Sequence, residues 1–193
     1  IRRMAETCHT QWVIHCVEVN LMSVANRLNS FLTLSQTPYR LVPHRHTETA
    51  ADSAHAAHIP SSRVVKSVLL RDRGNGRYLI ALTPACNRVE LDWVRNGAAA
   101  DPVLAREAEL GEVFPDCELG AVPGFGQAYH LDVVWDDELS QAESLFFEAG
   151  DHRELIEIDH DDFLRLFDGF PHASISKPSE SFEAFSPWVF WGQ

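Results

Sequence analysis

A two-residue period runs through Arg63-Val64-Val65-Lys66-Ser67-Val68-Leu69-Leu70-Arg71. It puts Val64, Lys66, Val68 and Leu70 on one face of a strand and Val65, Ser67, Leu69 and Arg71 on the other. A turn at Gly74-Asn75-Gly76 and a second apolar run over residues 77–83 follow, and an Asn-Gly pair between two such runs makes a β-hairpin. Residues 145–149 and 154–158 form a second hairpin across Gly150-Asp151. Residues 39–42, 102–105 and 131–135 read as further extended segments. Elsewhere the spacing is helical. Val24, Leu28, Phe31 and Leu32 share a face behind Ser23 as a cap, and Pro38 ends that helix. Thr47 is expected to cap an alanine-rich helix through Ala57, closed by Pro60. Helices are also predicted over residues 90–96 and 107–114 and, capped by Asp159, up to Phe167. Two hairpins and several crossovers among mixed strands and helices predict an α+β fold.

Length and charge narrow this picture. The 193 residues fit one domain with extensions. Residues 1–21 begin with Ile and carry no amphipathic period, so they read as an N-terminal extension, native or not. Met22-Ser23-Val24 is the better beginning of a domain ending near 167. Residues 168–193 form an aromatic-rich tail with Trp188 and Trp191, expected to dock in part. No apolar run approaches the roughly 20 residues of a membrane span, and His15 and Glu18 interrupt the one stretch resembling a signal-peptide core. Cys8, Cys16, Cys86 and Cys117 show no CxxC pair, which points to reduced thiols and a cytoplasmic location. A net charge of −12 argues against a broad basic surface and against DNA as a partner. Arg63, Lys66, Arg71, Arg73 and Arg77 still offer one local patch for a short nucleic-acid end.

Candidate chemistry centres on Lys66, one of two lysines against fourteen arginines. Lysine is rarely buried unpaired, and burial lowers its pKa. Lys66 therefore reads either as a functional group or as a snorkelling edge-strand lysine. The loop Gly120-Ala121-Val122-Pro123-Gly124-Phe125-Gly126 has three glycines in seven residues, which leaves backbone N–H groups to face a carbonyl or phosphate oxygen. It lacks the Gly-Lys-Ser/Thr of a Walker loop. Asp136, Asp137 and Glu138 follow a strand directly, where they cap a turn or orient a substrate amine. His44, His46, His55 and His58 cluster in sequence but fit no metal-binding spacing, so neither metal nor cofactor is expected. No GxSxG elbow occurs, and Cys86 reads as a small buried residue.

Several segments occur in a telling order. Tyr39-Arg40-Leu41-Val42-Pro43-His44 precedes the alanine-rich helix. Ile59-Pro60-Ser61-Ser62-Arg63-Val64-Val65-Lys66, Ile80-Ala81-Leu82-Thr83-Pro84-Ala85 and Arg88-Val89-Glu90-Leu91 follow. The glycine loop and Phe147-Glu148-Ala149-Gly150-Asp151-His152 complete the series. Over residues 24–167 this resembles the YbaK and prolyl-tRNA synthetase-associated editing-domain family. The resemblance implies a single domain with a mixed, strongly bent β-sheet surrounded by helices. It also implies a free-standing deacylase that hydrolyses the ester of a mischarged aminoacyl-tRNA, gripping its acceptor end, with a synthetase as a further partner and no membrane involved. By the same resemblance Lys66 is the essential lysine, Gly120 opens the substrate loop and Asp136 lines the pocket. Ser67, Ala121, Val122, Gly124, Gly126 and His152 complete the expected substrate-binding set. The family loop commonly reads Gly-x-x-x-Pro, whereas here Gly124 holds the fifth position and the proline is Pro123. A non-catalytic module that binds an amino acid or a protein is the rival expectation, and a metal-dependent hydrolase the third.

Overall fold

The computed structural model describes residues 24–98 and 100–179. The N-terminal extension, the Ser23 cap, Cys8, Cys16, Trp188 and Trp191 lie outside the described residues. α1 (Asn26–Leu34) buries Leu28 and Leu32, four residues apart on one face. β1 (Arg40–Pro43) leads to α2 (Ala50–Ala56). The cap of α2 is Thr49, not Thr47: the Thr49 side chain accepts from Asp52 N, and Thr49 is the extended residue directly ahead of the helix. Thr47 is buried and shares a 2.7 Å hydrogen bond with the Ser53 hydroxyl.

β2 (Val65–Asp72) and β3 (Tyr78–Pro84) form the first hairpin, with Lys66 opposite Thr83 and Ser67 opposite Leu82. β4 (Asn87–Val89), α3 (Leu91–Ala98), β5 (Pro102–Leu104), α4 (Glu107–Val113) and β6 (Asp132–Asp136) come next. β7 (Ser144–Glu148) and β8 (Glu154–Asp159) form the second hairpin. Asp159 caps α5 (His160–Phe167) by accepting from Asp162 N. The described chain closes with β9 (His172–Ala173) and β10 (Ser176–Pro178).

The strands form a mixed five-stranded sheet of order β5-β2-β3-β6-β9, a three-stranded sheet of order β1-β8-β7 and a two-stranded pair, β10-β4. β3–β6 and β6–β9 are parallel; the other pairs are antiparallel. A bridge between Val64 and Phe146 brings the two larger sheets together at the start of β2. Five helices among the described residues complete an α+β domain. Its main core includes Phe125, Phe147, Phe163 and Phe167, all essentially inaccessible, with the Phe125 and Phe147 rings 4.6 Å apart. No helix among the described residues is long and apolar enough to cross a membrane.

The described residues beyond 167, up to Ser179, belong to this body. Ile175 is fully buried, with Val94, Leu70 and Val134 in its cluster. β10 pairs with β4, placing Ser176 opposite Val89.

Candidate active site

Where the two larger sheets meet, a cavity of about 240 Å³ opens. Its walls come from α2 and the residues before it (Glu48, Thr49, Ser53), the start of β2 (Val64 to Ser67), the glycine loop (Gly120, Val122) and the second hairpin (Glu148, His152, Leu155). The wall is therefore part apolar and part polar, which suits a small amphiphilic ligand.

Lys66 belongs to this wall, as expected, but the role of its ammonium is more specific than the sequence conveys. Nζ donates to the main-chain carbonyl of Asn87 on β4. Burial holds the ammonium below the usual lysine range, an effect the neighbouring Cys86 sulfur offsets in part. The other lysine is ordinary by comparison: Lys177 pairs with Glu90 at 3.1 Å near the surface. Ser67 also lines the cavity, and its hydroxyl, shielded from solvent, has no hydrogen-bond partner. Asn87 is itself fixed, because its Nδ2 donates to Glu138 at 2.8 Å and to Ser176 at 3.0 Å.

The glycine loop is less open than its composition implies. The Ala121 amide donates to Glu118 O at 3.0 Å and the Val122 amide to Gly120 O at 2.9 Å, so neither faces a ligand. The Gly120 amide has no partner among the described residues, and Gly120 takes a φ of +91°, which favours glycine. Gly124 and Gly126 are packing positions and do not line the cavity. A Cβ on Gly124 would meet Phe147 Cδ1 at 2.6 Å, and one on Gly126 would meet Val133 Cγ2 at 2.5 Å. This gives the Gly124 departure a physical reason, since the Phe147 ring occupies the space a side chain would need. Ala121 is buried off the cavity.

Asp136 stands apart from the cavity wall as well. It is 3% exposed, and its carboxylate accepts from Ile175 N at 2.9 Å, Ser176 Oγ at 2.7 Å and Glu138 N at 3.0 Å. A carboxylate so engaged caps the turn after β6 and fastens β10, and it does not line the cavity. His152 does reach the cavity. Its Nε2 donates to Leu119 O at 3.0 Å, and its ring lies 5.3 Å from that of His46. His46 in turn approaches Glu118 at 3.3 Å. No group of three or more His, Cys, Asp or Glu among the described residues is placed to hold a metal ion.

Glu148 was not among the expected site residues. Its Oε1 accepts from three successive amides, Gly150 at 3.0 Å, Asp151 at 3.2 Å and His152 at 3.1 Å. Burial raises this carboxyl above the usual range, against the lowering effect of the Gly150 and His152 amides. The signal was present in Phe147-Glu148-Ala149-Gly150-Asp151-His152: an acid closing an apolar strand just before a glycine turn has turn amides within reach.

A half-buried lysine, an unbonded hydroxyl and a carboxylate held by turn amides thus share one small cavity at a sheet junction of a mixed α+β body. The chain belongs to the aminoacyl-tRNA editing domain family, the YbaK family, which it matches over residues 44–166. Among solved structures it is similar to one described as a "putative trans-editing enzyme for prolyl tRNA synthetase", with a TM-score of 0.66, 22% identity, and coverage of 79% of this chain and 96% of that one. A hypothetical protein gives a TM-score of 0.69 at 20% identity, over 78% of this chain and 99% of the other. No match was found among the curated proteins.

Proposed function

We propose that this chain is an aminoacyl-tRNA deacylase acting in trans, hydrolysing the ester that joins a wrong amino acid to the 3′-terminal adenosine of a tRNA. The observation that carries this reading is the convergence of Lys66, Ser67, Gly120, Val122 and His152, from three separate stretches of an editing-family domain, on one cavity. The solved neighbour described as a trans-editing enzyme supports action on a tRNA charged elsewhere. A cavity of about 240 Å³ favours a small side chain. Such a second pocket is useful because a single methylene gives a synthetase only ~1–3 kcal/mol of discrimination.

The reaction asks little of the protein. Water adds to the ester carbonyl, the bond to the ribose oxygen breaks, and that oxygen leaves with a proton as the free hydroxyl. The site holds the ester and stabilises negative charge on its carbonyl oxygen. The Gly120 amide and the Lys66 ammonium are the donors available for that task; the Ser67 hydroxyl is unbonded but shielded from solvent.

One observation favours a non-catalytic binding module instead. The Lys66 ammonium is already engaged by Asn87 O, and it stems from the strand face opposite Ser67. Deacylation of separately mischarged tRNAs by wild type and by Lys66→Ala decides between the two. The deacylase reading expects hydrolysis above the spontaneous rate for at least one tRNA, and a loss of at least about 100-fold in a folded Lys66→Ala protein. Turnover near wild type in that variant removes Lys66 from the chemistry. No hydrolysis of any tRNA by wild type leaves the binding module.

A further inference from the structure

We propose that Glu148 recognises the free α-ammonium of the aminoacyl group, so that the cavity takes aminoacyl esters with an unblocked amine and rejects N-acylated ones such as peptidyl esters. The proposal rests on the aminoacyl-ester reading of the cavity. Its support is geometric. Glu148 ends β7, opposite Leu155 of β8, and both residues line the cavity. The turn after β7 directs three consecutive amides onto Oε1, with Gly150 at a φ of +111°. That grip holds the carboxylate in one orientation before any ligand arrives. Oε2 takes no part in it, and no lysine or arginine among the described residues pairs with Glu148.

A mostly buried carboxylate without a cationic partner is an unstable arrangement unless something neutralises it. Burial is the main cause of its raised pKa. The cavity around it then reads as a template for one small amino acid. Val64, Val65, Val122 and Leu155 receive a side chain, the carboxylate an ammonium, and the Gly120–Lys66 side the ester. Glu48 is the other carboxylate on the wall, but it is exposed, where solvent weakens its hold on a cation. An N-acyl group removes the positive charge and adds bulk at the one point where Oε1 and its turn cannot yield.

The substitution that isolates this role is Glu148→Gln. Glutamine keeps an Oε1 to accept the three turn amides but replaces Oε2 with a donor and removes the charge. Paired, non-hydrolysable probes read the effect: 3′-amino-3′-deoxyadenosine amides of small amino acids from glycine to proline, each beside its des-amino twin. Calorimetric titration of the full chain near pH 6.5, about a unit below the α-amino pKa, keeps the amine charged. Wild type is expected to bind at least one amino probe about tenfold or more tighter than its twin, as a hydrogen bond between charged groups implies. Glu148→Gln is expected to abolish that preference with an unchanged melting temperature, and Glu48→Gln to keep it. Equal binding of both members of every pair, binding of neither, or a preference that survives Glu148→Gln overturns the proposal. So does a preference lost in Glu48→Gln instead. These amides are not hydrolysed, so the outcome is separate from the deacylase test. Selective binding with no turnover on any tRNA keeps the ammonium site and ends the deacylase reading, whereas turnover with equal binding of the pairs does the reverse.

Discussion

An ammonium on a strand that otherwise presents valine and leucine loses hydration on folding, and Lys66 recovers only part of it from Asn87 O. The alternation of the strand made this lysine conspicuous in sequence. Its partner was not legible, because a main-chain carbonyl has no residue signature. The consequence is testable through stability. The folded-state pKa of Lys66 lies below its ordinary value of 10.5. Between the two values the unfolded chain binds more protons than the folded one, so stability rises with pH across that window. Below the window both states are protonated and the penalty is present in full. Lys66→Met is therefore expected to be more stable than wild type at neutral pH, with an advantage that shrinks as pH climbs towards 10.5. Urea melts of both proteins at several pH values test this, and parallel stability curves would show that burial of the charge is not a strain on the fold. Asp136 is the converse lesson. An acid after a strand was legible as a capping or pocket residue; it does cap the turn that follows β6, and the return of Ile175 and Ser176 to its carboxylate adds a task the sequence did not show.

At the scale of elements, both hairpins were readable because alternation and glycine turns are local signals, and the Asp159 cap likewise. β4, β9 and β10 were not, since strands of two or three residues are too short to show a period. Yet these short pieces set up the lysine. Asp136 holds Ser176 of β10, Ser176 accepts from Asn87 of β4, and Asn87 supplies the carbonyl to Lys66. Asp136→Ala should break that chain of contacts at its origin. The loss of three hydrogen bonds to a buried charged acceptor is expected to lower stability by about 3 kcal/mol or more. For a protein of this size that means a fall in melting temperature of roughly 6–12 °C. Calorimetry measures it, and turnover assayed well below the new melting point should fall less than in Lys66→Ala. Unchanged melting with lost turnover would return Asp136 to the substrate site.

For the whole molecule, the sequence suggested a core ending near 167, since aromatic and polar residues beyond it show no period. The described chain continues the fold to Pro178, with Ile175 fully buried and β9 extending the large sheet. A fragment of residues 22–179 keeps Ile175, β9 and β10 and serves as the reference. One of residues 22–170, lacking Ile175 and both terminal strands, should unfold at markedly lower temperature, and equal melting of the two fragments would mean that these strands add nothing. Charge belongs to the same scale. The basic cluster near Lys66 is largely used within the protein: Arg71 pairs with Glu109, Arg77 with Asp132, and Arg63 bonds Ser144. Of that set, only the Arg73 side chain is left without a partner among the described residues. On a chain of net charge −12 this leaves little to hold a tRNA body, so the deacylase reading expects contact with the acceptor end alone. Each neutralised single-strand phosphate contributes about −0.7 to the slope of log affinity against log salt. Three such contacts give about −2, and kcat/KM on a mischarged tRNA should fall with salt no more steeply than that. A slope of about −5 or beyond would require a basic tRNA-binding face that the paired arginines do not provide, and would move the grip away from the cavity end of the domain.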